Sequence, residues 1–102
     1  RVAHSVVFAP EAEADLVELY EYIARHGGFD PARRYVERIV TMFRSLTTFP
    51  ERGTRRDDIR PGLSTTGHGR RVTVAFHIAG KTVTIDRILY AGRTLGAVGA
   101  GT

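Results

Sequence analysis

The apolar positions change period along the chain, and each change marks an element. Val2, Val6 and Phe8 alternate loosely with polar residues, predicting a strand that ends before Pro10. From Pro10 to about Arg25 the period turns helical, with Ala12, Leu16, Leu19, Tyr20 and Ile23 on one face. Pro opens this helix, and the early acids suit the positive end of its dipole. Gly27-Gly28 stops it. Asp30-Pro31 predicts a second helix, an N-cap acid followed by Pro at the first helical position. At about 100° per residue, Ala32, Tyr35, Val36, Ile39, Met42, Phe43 and Leu46 fall within a third of a turn, and the helix ends before Pro50. Two helices joined by so short a glycine turn pack as an antiparallel hairpin.

After Pro50 the pattern predicts irregular chain through Arg60-Pro61-Gly62, a short strand around Leu63–Thr66, and then a period of two. Val72, Val74, Phe76 and Ile78 alternate with Thr73, Ala75 and His77, Gly80-Lys81 suits a two-residue turn, and Val83 to Leu89 returns. The expected fold is α+β, in the order β-α-α-β-β-β. An antiparallel sheet carries the helical hairpin on one face and leaves the other open.

That turn pairs residue 78 with 83, 77 with 84, 75 with 86 and 71 with 90. Val83, Ile85, Arg87 and Leu89 then face the helices, while Thr84, Asp86, Ile88 and Tyr90 share the open face with Arg71 and His77. Arg87 is the anomaly, a cation aimed at the core. A β-bulge near Asp86–Ile88, where the apolar pattern stutters, would swing it to the open face.

Charge sharpens this picture. Net charge is +4, and it is divided: residues 1–30 hold two Arg against six acids, residues 31–60 eight Arg against four, and residues 61–102 four Arg and Lys81 against Asp86. A basic C-terminal two-thirds implies an acidic partner, nucleic acid or polypeptide. At 102 residues the chain makes one domain, residues 1–95, with a Gly/Ala-rich tail at 96–102 that should fray. The start turns acidic before any long apolar stretch, so no secretory signal is expected. The chain has no cysteine, which excludes disulfides and fits the cytoplasm. Its four histidines (4, 26, 68 and 77) are scattered, so no metal or cofactor is expected.

The open face admits two readings. Cleavage of RNA by 2′-OH attack needs a base, a proton donor and cations. His77 or Asp86 would be the base, Tyr90 the donor, and Arg71, Arg87 and Arg93 the cations. Alternatively these are ordinary cross-strand pairs on a surface that grips a protein. The helix-1 acids Glu11, Glu13, Asp15, Glu18 and Glu21 read as a solvated face. Val17, Ala24 and Val40, at the margins of the two helical core faces, are candidates for contact with a partner.

In order and spacing, A-E-x-D-L-x-x-x-Y-x-Y-I, P-x-x-G, R-P-G-L and the closing I-x-R-I-L-Y-x-x-R, from about Val6 to Leu95, resemble the ParE branch of the ParE/RelE toxin superfamily. The resemblance implies a toxin held by a ParD-like antitoxin, whose N-terminal ribbon-helix-helix binds DNA and whose C-terminal segment wraps the toxin. The basic sheet and the apolar helix flank call for that segment to be acidic and amphipathic. The ParE branch is associated with blocking DNA gyrase and trapping its cleaved DNA complex, the RelE branch with cleaving mRNA in the ribosome. The fold does not choose between them. No Glu here matches the general base of some RNase members, so the gyrase reading is preferred. Its expected docking residues are Arg60, Arg71, Arg87, Tyr90 and Arg93.

Overall fold

A computed structural model describes residues 4–68 and 72–90. Strand β1 (Ser5–Phe8) leads into helix α1 (Pro10–Gly27), which turns back through Gly28 into α2 (Phe29–Ser45). After a single 3-10 turn at Pro50–Arg52 come β2 (Thr54–Arg55), β3 (Leu63–His68), β4 (Val72–Ala79) and β5 (Thr82–Tyr90). The expected α+β order holds, with one short strand added in the segment read as irregular.

The sheet order is β1-β5-β4-β3-β2. The β2–β3, β3–β4 and β4–β5 pairs are antiparallel, whereas β1 lies parallel to β5. The sheet is therefore mixed, because the helical hairpin returns the chain to the far side before the meander begins. Helix α2 begins at Phe29, one residue before the expected Asp30 cap. Gly28, at φ 96°, closes α1 and opens α2 in one residue, a left-handed conformation that favours glycine. At the other tight turn Gly80 has φ 61° and Ala79 pairs with Thr82, the two-residue hairpin the sequence called for.

The main core lies between the hairpin and the sheet. Ala12 and Leu19 of α1 and Ile39, Phe43 and Leu46 from α2 onward meet Val72, Val74, Phe76, Val83, Ile85, Ile88 and Tyr90 of the sheet. A smaller cluster, Leu63, Ala75 and Leu89, sits on the opposite face under Ile59. That face is thus only partly open, since residues 56–62 strap across it. Asp57 anchors the strap, accepting from Arg55 and from the Gly62 amide at 2.8 Å.

Candidate functional site

Strand β5 carries most of the candidate residues, and its register decides which face each one takes. His77 pairs with Thr84 and Phe76 with Ile85, as expected, but the next pair is Ala75 with Arg87. Asp86 is the extra residue of a β-bulge. The apolar pattern explains it: Ile85 and Ile88 stand three apart, so both reach the core only if one residue is looped out.

The bulge is where the sequence placed it, and its consequences differ. Beyond it every side chain changes face. Ile88, expected on the open face, is core, and Leu89 joins the opposite cluster. Tyr90 pairs with Val72 and packs beneath the helices, its ring 5.6 Å from that of Tyr22. It is not on the open face.

Arg87 does not become a free open-face cation either. Strand β1 pairs with β5 only as far as Ile85, whose carbonyl accepts the Ala9 amide as the chain turns into α1. Past that point the edge of β5 lies against the helix. Arg87 reaches round it to Asp15, with Nε–Oδ2 at 2.7 Å and Nη2–Oδ1 at 3.1 Å. Oδ2 also accepts the Ile88 amide at 2.9 Å. The strand's unpaired N–H is satisfied by a helix carboxylate. Asp15 is 4% exposed, so it is no part of a solvated acidic face. The hydrogen bonds to Asp15 push Arg87 further up from its already high ordinary value. A helical wheel carries the missed signal, because Asp15 lies three after Ala12 and four before Leu19, on the buried stripe.

Among the described residues, what remains on the open face is a chain of three groups. Asp86 Oδ2 accepts from His77 Nδ1 at 2.7 Å and from Arg60 Nη2 at 3.0 Å. An ionised carboxylate only accepts, so Nδ1 carries the proton in this contact. The His77–Asp86 contact is the diagonal pair expected from the register. Arg60 fastens the strap to β5 through the same carboxylate. Arg71 and Arg93 lie outside the described residues, as do Val2 and the 96–102 tail. Among the described residues no group of three or more His, Asp or Glu is placed to hold a metal, and no helix is long and apolar enough to cross a membrane.

On the helical side, a cavity of about 390 Å³ lies beneath the end of α1, lined by Leu19, Tyr22, Ile23, His26, Tyr35 and Tyr90. On the outer surface Val17 is 57% exposed, beyond the margin of the core. Ala24 and Val40 are half-buried.

This fold matches chains of solved toxin–antitoxin systems. The protein superposes on a chain of the chromosomal ParDE toxin–antitoxin system from P. aeruginosa with a TM-score of 0.76 and 27% identity, covering 87% of this chain and 97% of that one. Residues 6–95 match the family described as the ParE toxin of the type II toxin–antitoxin system parDE. The chain belongs to the ParE toxin family. Toxin ParE3 of Caulobacter vibrioides is 30% identical to it over 92 residues, 90% of this chain and 91% of that protein. The RelBE2 toxin–antitoxin complex of Mycobacterium tuberculosis shares the fold, with a TM-score of 0.64 and 22% identity over 90% of this chain and 95% of that one. The ParE-type chain is thus a toxin of a type II toxin–antitoxin system.

Proposed function

We propose that the protein is a non-catalytic inhibitor that docks on DNA gyrase, traps the cleaved DNA complex and so blocks replication. The observation that favours this reading is the scattering of the RNase constellation. Tyr90 lies on the opposite face from His77 and Asp86, and Arg87 is bound to Asp15. Among the described residues no proton donor or unpaired cation stands beside the base, an arrangement poorly suited to phosphodiester cleavage. The docking set is Arg60 on the strap with Arg71 and Arg93, while Arg87 and Tyr90 hold β5 to the helices.

Purified toxin added to gyrase and supercoiled plasmid should accumulate linear DNA. Unchanged supercoiling together with unchanged cleavage sinks the gyrase reading.

A ParD-like antitoxin neutralises the toxin in this reading, with Val17, Ala24 and Val40 under its C-terminal segment. The chain's relatives in solved ParDE and RelBE systems support such a partner. A short neighbouring gene with a ribbon-helix-helix pattern would identify it.

The His77–Asp86 pair keeps a second reading in play, a ribosome-dependent endoribonuclease with His77 as base. It predicts codon-positioned cuts in translated mRNA that His77→Ala abolishes. Intact transcripts on toxin-loaded ribosomes exclude it.

A further inference from the structure

The two flanks of helix α2 differ in kind. On the flank that meets α1, Phe29 stacks on Tyr20, and Val36 and Val40 share that side. The other flank carries Arg34, Arg38, Thr41 and Ser45, which stand at i, i+4, i+7 and i+11. At about 100° per residue these four form one line along the helix, roughly 150° round from the two valines. Arg34, Arg38 and Thr41 are exposed, and with Glu37, Met42 and His68 they line a groove of about 700 Å³ between α2 and the end of β3.

A further cation joins this line from outside the helix. Arg52, in the 3-10 turn, donates from Nη1 to Ser45 Oγ at 2.6 Å, and Ser45 Oγ donates to the Met42 carbonyl at 2.6 Å. The hydroxyl has a single proton, so the carbonyl takes it and the guanidinium is held at the last turn of α2. Three guanidinium groups thus stand along roughly 16 Å of helix. An amphipathic antitoxin segment needs a row of apolar positions to bury itself on, and this flank offers Met42 alone among the groove residues. A nucleic-acid backbone needs the reverse, repeated cations without an apolar stripe. Roughly 16 Å is about five base-pair steps of duplex.

We propose that this flank of α2 binds the phosphate backbone of duplex DNA through Arg34, Arg38 and Arg52. The contact stands on the line of cations; its use in holding a cleaved DNA complex rests on the gyrase reading. Arg60 lies on the sheet face away from the helices, fastened to Asp86. Enzyme and duplex therefore meet different sides of the domain and can be held at once. Contacts to phosphate alone carry no sequence information, so the binding is weak and indifferent to sequence.

The test is fluorescence anisotropy of a labelled duplex of about 20 base pairs, titrated with toxin freed of antitoxin at about 50 to 200 mM salt. Circular dichroism verifies the fold of each variant. Three phosphate contacts predict a slope of log affinity against log salt of about −3. Arg34→Ala with Arg38→Ala should weaken binding at least roughly tenfold and flatten the slope by about two. Ser45→Ala removes no charge and should weaken it roughly two- to fivefold by releasing Arg52. The control pair, Arg33→Ala with Arg44→Ala, removes the same charge from the flank nearer α1 and should change affinity by less than about threefold. No duplex binding at the lowest salt overturns the proposal. Equal weakening by the two double variants also overturns it, because only the net charge of +4 is then being read. So does a polyglutamate peptide that displaces the duplex at equal charge concentration, since the flank then prefers an acidic protein. Duplex binding by a toxin that leaves gyrase untouched upholds this contact and sinks the gyrase reading alone.

Discussion

Arg87 and Asp15 are 72 positions apart and meet in a two-point contact that joins the last strand to the first helix. Their side chains are 25% and 5% exposed, so removing one leaves the other's charge largely dry. Asp15→Ala also strips the Ile88 amide of its acceptor. This variant should lose about 3–5 kcal/mol in urea unfolding. The double replacement Asp15→Leu with Arg87→Met should lose less than Asp15→Ala alone, since an apolar pair leaves no orphan charge. A double variant at least as unstable as the single one would show that the charges themselves hold this edge. The same contact makes Arg87→Ala a poor probe of catalysis, because any loss of toxicity would follow from loss of fold.

Gly53 sets how closely the chain entering β2 approaches the sheet. A Cβ there would stand 2.7 Å from the Phe76 ring and 2.9 Å from the Thr65 carbonyl oxygen. Phe76 is fully buried and the carbonyl belongs to backbone, so neither can yield cheaply. Gly53→Ala should destabilise the protein by about 1–3 kcal/mol, read as a lowered thermal midpoint.

Acid should loosen the strap before it unfolds the domain. Hydrogen bonds, first from Arg55 and then from the Gly62 amide, hold the Asp57 carboxyl below its ordinary value. A depressed carboxyl contributes its stabilisation above its unfolded pKa and loses it as pH falls through the lower folded one. The Gly62 amide resonance should therefore hold steady down to roughly pH 4 and shift only below it. Asp57→Asn should remove that acid-dependent shift while the core resonances stay in place.

Val17→Asp should weaken antitoxin binding roughly tenfold to a hundredfold in calorimetry while plasmid linearisation by gyrase persists. Val17 is mostly exposed, so the fold itself gains no buried charge from this change. Unaltered antitoxin affinity would move the antitoxin off this surface.

The fold was legible because its elements follow their own periods. The helical spacing of Ala32 to Leu46 and the alternation from Val72 to Ile78 needed no tertiary information. The stutter between Ile85 and Ile88 announced the bulge as well. What local pattern could not carry was the bulge's effect downstream, since the faces of Leu89 and Tyr90 depend on how many residues are looped out. Nor could strand alternation foresee Arg87, whose partner lies on a helix 72 positions earlier. The His77–Asp86 contact was reachable because Asp86 directly follows Ile85, the last residue paired as counted from the Gly80 turn.

Strand β5 lies between β1 and β4, and among the described elements it comes last in the chain. Until it arrives, β1 lacks its partner strand, Asp15 lacks the Arg87 guanidinium, and the underside of α1 lacks the Ile85, Ile88 and Tyr90 side chains. A sheet closed by contacts this distant in sequence waits on long-range pairing. A nascent chain that lacks β5 therefore lacks this fold. The inhibitor proposed above takes shape only after β5 has joined the sheet, which leaves a co-expressed antitoxin time to be present.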